Sequence, residues 1–119
     1  MKLHGEAAEQ AAVVRWARQN GLLIWSTPNE GDVPAQYRQK QILTGLNPGA
    51  SDLMILLGPP CMLVALEMKT ERGRASHAQG EFIRRVQERG GVGRVCYGRN
   101  EAIAWLQSLL ASQPNPSGD

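Results

Sequence analysis

A chain of 119 residues and 13.0 kDa has room for one core, and 42% apolar with 20% charged residues is a globular composition, not a disordered or collagen-like one. No apolar run approaches the ~18–20 residues of a membrane span, no secretory signal stretch opens the chain, and two cysteines are too few for a disulfide scaffold. The net charge of +2 excludes the strongly basic coat of a DNA-packaging protein and names no partner by itself.

The first element, Glu6 to Asn20, reads as a helix: it is alanine-rich, lacks Pro and Gly, and meets Gly21 as a stop. Glu6, Gln10, Val13, Val14 and Ala17 share one stripe at helical spacing. Leu22 to Ser26 is a short strand closed by Thr27-Pro28-Asn29. Residues 29–50 are the least apolar stretch, with three glycines and two prolines, and Pro34 can open a short helix through Leu43. A connection of that length inside a compact domain is often functional.

Two apolar runs follow, Asp52 to Leu57 and Cys61 to Lys69, around the breaker Gly58-Pro59-Pro60, so a hairpin buried on both faces is expected. Ser76 with Gln79 three residues later matches a capping box and opens a helix to about Arg89, which Gly90-Gly91 ends. Val92 to Tyr97 is a fourth strand, and Asn100 is the expected cap of a last helix from Glu101 to about Leu110. The order α-β-β-β-α-β-α predicts an α/β sheet flanked by helices, one domain over residues 1–111 with a frayed tail over 112–119. Cys61 and Cys96 both fall in apolar segments, as free thiols acting as small hydrophobes in a reducing cytosol.

Charge is unevenly spread. Residues 1–68 carry five basic and six acidic side chains, whereas residues 69–99 carry eight basic and three acidic ones. Seven of those eight are arginine, whose planar fork suits phosphate. A solvated helix face explains the same excess, so the cluster needs a site beside it.

The hairpin supplies one. Strand alternation puts Met62, Val64, Leu66 and Met68 on one face, and Cys61, Leu63, Ala65, Glu67 and Lys69 on the other. If Leu57 pairs with Cys61, Asp52 sits opposite Leu66; if the turn is one residue wider, Asp52 faces Glu67 directly. Either register brings two carboxylates and an ammonium to one hairpin end, within roughly 5–8 Å. Two carboxylates ~5 Å apart repel by about 3 kcal/mol at an effective dielectric near 20. Lysine offsets that repulsion, and so does a divalent cation such as Mg²⁺, which bridges carboxylates to phosphate. A plain salt bridge at a strand end is the alternative.

Gly49-Ala50-Ser51-Asp52-Leu53, then Glu67-Met68-Lys69-Thr70-Glu71-Arg72-Gly73-Arg74-Ala75-Ser76, then Gln79, closely resembles the VRR-NUC family (virus-type replication-repair nuclease). That family belongs to the PD-(D/E)XK nuclease superfamily, with an α-β-β-β-α-β core and a central mixed sheet. The resemblance runs from the Glu6-to-Gln10 helix through the strand after Gly91. One departure is visible: the proline usual before the metal-binding aspartate is Ser51 here.

The resemblance implies Mg²⁺- or Mn²⁺-dependent hydrolysis of DNA phosphodiesters in the cytoplasm of a bacterial or phage-type host cell. It implies Asp52, Glu67 and the Met68 carbonyl as metal ligands, with Glu6 reaching the metal directly or through water. Glu9 competes with Glu6, and an acidic residue early in a helix is also favoured by the macrodipole. Gln79 would hold water or Lys69, besides its capping duty. The charged form of Lys69 is favoured beside two carboxylates, so it is expected to orient the attacking water and stabilise charge on the phosphorane rather than act as a free-amine base. Arg72 and Arg74, with Ser76, would hold flanking phosphates, and Arg84, Arg85 and Arg89 extend along the helix behind. No groove-reading motif is evident, so recognition of branched DNA is expected, as a Holliday-junction-resolving homodimer or a flap nuclease. A non-catalytic DNA-binding module is the alternative of another class. His4 and His77 read as surface or capping residues, and Trp16, Trp25 and Trp105 as core or rim. Asn29 matches an asparagine often seen in the family, or is a turn residue.

Overall fold

The computed structural model describes residues 1–27 and 34–113; Asn29 and the tail beyond Gln113 lie outside the described residues. The elements run α1 (Gly5–Gln19), β1 (Leu23–Ser26), α2 (Ala35–Leu43), β2 (Leu53–Leu57), β3 (Met62–Lys69), α3 (His77–Glu88), β4 (Val92–Tyr97) and α4 (Gly98–Ala111). The four strands form one mixed sheet in the order β1-β2-β3-β4. The first three are joined antiparallel, and β4 returns through α3 to lie parallel to β3. Among the described residues no helix is long and apolar enough to cross a membrane.

Both faces of the sheet are covered, which is why β2 and β3 read as unbroken apolar runs. On one face Val64, Leu66 and Met68 meet Val13 and Ala17 of α1 and Ala102 and Leu106 of α4. On the other, Met54 and Ala65 meet Val86 and Phe82 of α3. A fully buried Leu or Val contributes about 1.5–3 kcal/mol, so this double layer readily holds a strand end that carries charge.

The hairpin adopts the wider of the two registers. Leu57 pairs with Met62 and Leu53 with Leu66, so the next position along sets Asp52 opposite Glu67. Cys61 therefore leaves the strand for the turn and is exposed, contrary to the expectation of an apolar packing role, while Cys96 is buried as expected.

The last helix also starts earlier than Asn100. Gly98, at a φ of +85°, turns the chain directly out of β4. The cap comes from another element: Glu9 of α1 accepts the backbone N–H of Arg99 at 3.1 Å and its guanidinium at 2.6–2.7 Å. A carboxylate at a helix N-terminus satisfies an orphan N–H and complements the dipole, so Asn100 is not needed there. By contrast, α3 has the expected capping box, with Ser76 and Gln79 each bonding the other's backbone N–H.

Candidate metal centre and its supports

At the open end of the hairpin the ladder stops at Leu53 and Leu66. Just beyond it, Asp52 Oδ2 accepts the backbone N–H of Met68 at 2.9 Å. Glu67, only 1% exposed, points to the α3 face. There its Oε2 accepts from Gln79 Nε2 at 3.3 Å and pairs with Lys69 Nζ at 3.2 Å. The capping box therefore does two jobs: it starts α3, and it holds the Gln79 amide over Glu67. Lys69 is 15% exposed, shielded partly by Gly73, where a Cβ would come within 3.3–3.4 Å of the lysine stem.

The electrostatics are those of a carboxylate pair short of cations. Burial, and then the neighbouring Asp52 carboxylate, push the Glu67 carboxyl up to about 8, with Lys69 opposing them. Glu67 Oε1 is buried and has no hydrogen-bond partner among the described residues. A buried carboxylate oxygen left this way costs free energy unless a proton or a cation meets it. Two carboxylates and a nearby main-chain carbonyl make an all-oxygen donor set, the type preferred by Mg²⁺ and Mn²⁺. The residues fit such an ion.

The structure thus gathers Asp52, Glu67, Met68, Lys69 and Gln79. Among the described residues no third His, Cys, Asp or Glu side chain completes a metal-holding group with Asp52 and Glu67. Glu6 is partly buried near the start of α1, without a side-chain hydrogen bond or ion pair among the described residues, whereas its competitor Glu9 is held by Arg99.

Two supporting residues were not singled out from sequence. Thr27, the residue after β1, donates its hydroxyl to the Ser51 carbonyl at 2.6 Å and its N–H to the Asp52 carbonyl at 3.1 Å. It continues the β1–β2 pairing by one step and so holds the Asp52 backbone. Gly49 has a φ of +83°, and a Cβ there would lie 2.4 Å from the Ala78 backbone. Only glycine lets the Asp52 loop press onto the first turn of α3 beside Gln79. A threonine ending a strand and a glycine three residues before an aspartate were the available signals.

The arginines divide. Arg84 is paired with both Glu81 and Glu88, Arg94 with Glu101, and Arg99 with Glu9. Arg72, Arg74 and Arg85 are exposed and form no ion pair among the described residues. Ser76, at the α3 cap, is exposed as well.

Comparison with known proteins agrees with this architecture. The model of the VRR-NUC domain family matches residues 4–100. A solved structure described as a VRR_NUC domain protein superposes with a TM-score of 0.75 at 20% identity, covering 93% of this chain and 92% of that one. Curated protein sequences give no match.

Proposed function

The chain belongs to the VRR-NUC domain family and is thereby a nuclease of the PD-(D/E)XK type, and from that premise we propose that it is a Mg²⁺- or Mn²⁺-dependent endonuclease that hydrolyses phosphodiester bonds in branched DNA. The observation that carries this reading is the division of labour on Glu67. Its Oε2 is held by Lys69 and Gln79, while its buried Oε1 has no hydrogen-bond partner among the described residues and the Asp52 carboxylate raises the whole carboxyl.

Asp52, Glu67 and the Met68 carbonyl would hold the ion, with Glu6 approaching from α1 through water. The bound ion would supply Lewis-acid polarisation of the phosphate and a more acidic water. Gln79 fixes the Glu67 carboxylate, and Lys69, drawn to Glu67, presents an ammonium for orienting the attacking water and balancing charge on the phosphorane. Arg72 and Arg74, just after β3, with Ser76, Arg84 and Arg85 of the following segment, would hold flanking phosphates without reading bases. Opposed cuts across a four-way junction require two sites, so junction resolution calls for a homodimer.

Purified protein offered labelled four-way junction, flap and linear duplex in Mg²⁺, Mn²⁺ or EDTA tests the reading. Metal-dependent cleavage that favours a branched substrate and vanishes in Asp52→Ala is expected. Salt-sensitive binding with no cleavage of any substrate would make the chain a non-catalytic DNA-binding module instead.

A further inference from the structure

Between α1 and the outer edge of β1 lies a groove of about 590 Å³, lined by no acidic residue among the described ones. Ala7, Ala11 and Val14 supply one wall, at the three- and four-residue spacing that stacks side chains along one helix face. Ile24 of β1 supplies the other, and Arg15 and Arg18 add two cations. Both arginines are exposed, and neither forms an ion pair among the described residues. Of the seven arginines in the arginine-rich segment, three are matched by carboxylates, whereas both of these on α1 are unmatched among the described residues.

The groove ends one residue from the backbone of the candidate metal centre. Ser26 lines it, and the next residue, Thr27, bonds the Asp52 carbonyl. From Ala7, which follows Glu6, α1 leads away from that end, placing Arg15 and Arg18 about 12 and 17 Å further along its axis.

We propose that this groove binds a single-stranded segment of nucleic acid leaving the cleavage site; the inference rests on the nuclease reading above. An apolar wall beside spaced cations suits a chain that alternates bases with phosphates. A duplex hides its bases from such a wall. Inorganic phosphate would have no use for the apolar wall. Trp25, 40% exposed, also lines the groove and offers an aromatic surface to a base.

The test is fluorescence anisotropy of a labelled twelve-nucleotide oligo(dT) in EDTA, with a blunt duplex as control, on the wild type, the double variant Arg15→Gln/Arg18→Gln, Trp25→Ala and Trp25→Phe. Glutamine is a good helix former at exposed positions, so the double variant should melt like the wild type. Its oligo(dT) Kd should weaken about tenfold, its salt slope should fall by ~0.7 per lost phosphate contact, and its duplex Kd should change less than twofold. Trp25→Ala should weaken oligo(dT) binding about fivefold or more, and Trp25→Phe should retain most of it. Unchanged oligo(dT) binding in the double variant overturns the proposal. So does an equal loss on duplex, or a groove substitution that acts by breaking a dimer in sedimentation. A wild type that cleaves nothing but loses oligo(dT) binding with the groove arginines would sink the nuclease reading and leave the groove standing; cleavage with unaffected oligo(dT) binding would do the reverse.

Discussion

Asp52 Oδ2 accepts the backbone N–H of Met68 at 2.9 Å, one step beyond the last ladder pair of the hairpin. The carboxylate is therefore both a candidate ligand and a clamp on the strand that carries Glu67 and Lys69. Asp52→Asn keeps an acceptor for that N–H and loses the charge, whereas Asp52→Ala loses both. Both variants should lack metal-dependent cleavage, but Asp52→Asn should be the more stable by about 1 kcal/mol, the worth of one such bond. Urea melts in EDTA check the ordering; equal stabilities would mean that the clamp contributes nothing.

The raised Glu67 carboxyl makes a prediction with a definite sign. Its ordinary value is near 4.5 and its folded value about 8, so between those limits the folded protein holds more protons than the unfolded chain. Stability in EDTA should therefore fall as pH rises through that window, by an amount on the order of a few kcal/mol, and level off above it. Glu67→Gln should flatten the profile. Because a cation competes with the proton for the same carboxylate, Mg²⁺ should stabilise the wild type more at pH 8 than at pH 6. Melting temperatures across pH 5–9, with EDTA or Mg²⁺, decide; a metal-free wild type that gains stability through this window contradicts the assignment.

What could be read in advance follows the range of each interaction. Glu67 and Lys69 are two residues apart in a strand, so alternation alone puts them on one face. The capping box of Ser76 and Gln79 is likewise local. The hairpin left two registers open because turn width is not encoded in strand pattern, and the turn over Gly58–Cys61 settled it. Thr27 with Ser51, and Glu9 with Arg99 at ninety residues' separation, depend on which helix and strand become neighbours. Charge counting is silent on pairing for the same reason: three arginines of the arginine-rich segment find carboxylates on folding, two of them within or close to their own elements and one across the molecule.

The two acids of α1 should separate cleanly. Glu9 is held below the usual carboxylate range by the Arg99 guanidinium and backbone N–H, so its contribution is present above the unfolded value and lost as pH falls through the depressed one. Glu9→Gln should lower the melting temperature near neutral pH, with less effect in acid, and leave cleavage per folded molecule intact. Glu6→Gln should leave the melting temperature nearly unchanged and reduce cleavage at limiting Mg²⁺. Reversed phenotypes would make Glu9 the acid of the site.

Ser51 occupies the position where the family pattern has proline, and its Oγ is buried with no hydrogen-bond partner among the described residues. Its backbone carries the useful contact: the carbonyl accepts the Thr27 hydroxyl at 2.6 Å. The Ser51 hydroxyl therefore bears a desolvation cost without a compensating bond, whereas the Thr27 hydroxyl is fully used. Ser51→Ala should stabilise the protein by about 1 kcal/mol, or roughly 3–5 °C for a chain of this size. Thr27→Val, which keeps the shape and deletes the donor to Ser51, should destabilise it by about 1–2 kcal/mol and weaken metal binding by loosening the Asp52 backbone. Thr27→Ser should restore both. Calorimetry of the three variants, with Mn²⁺ titration of each, checks the contrast, and a Ser51→Ala protein that melts lower than the wild type would show that the hydroxyl does work of its own.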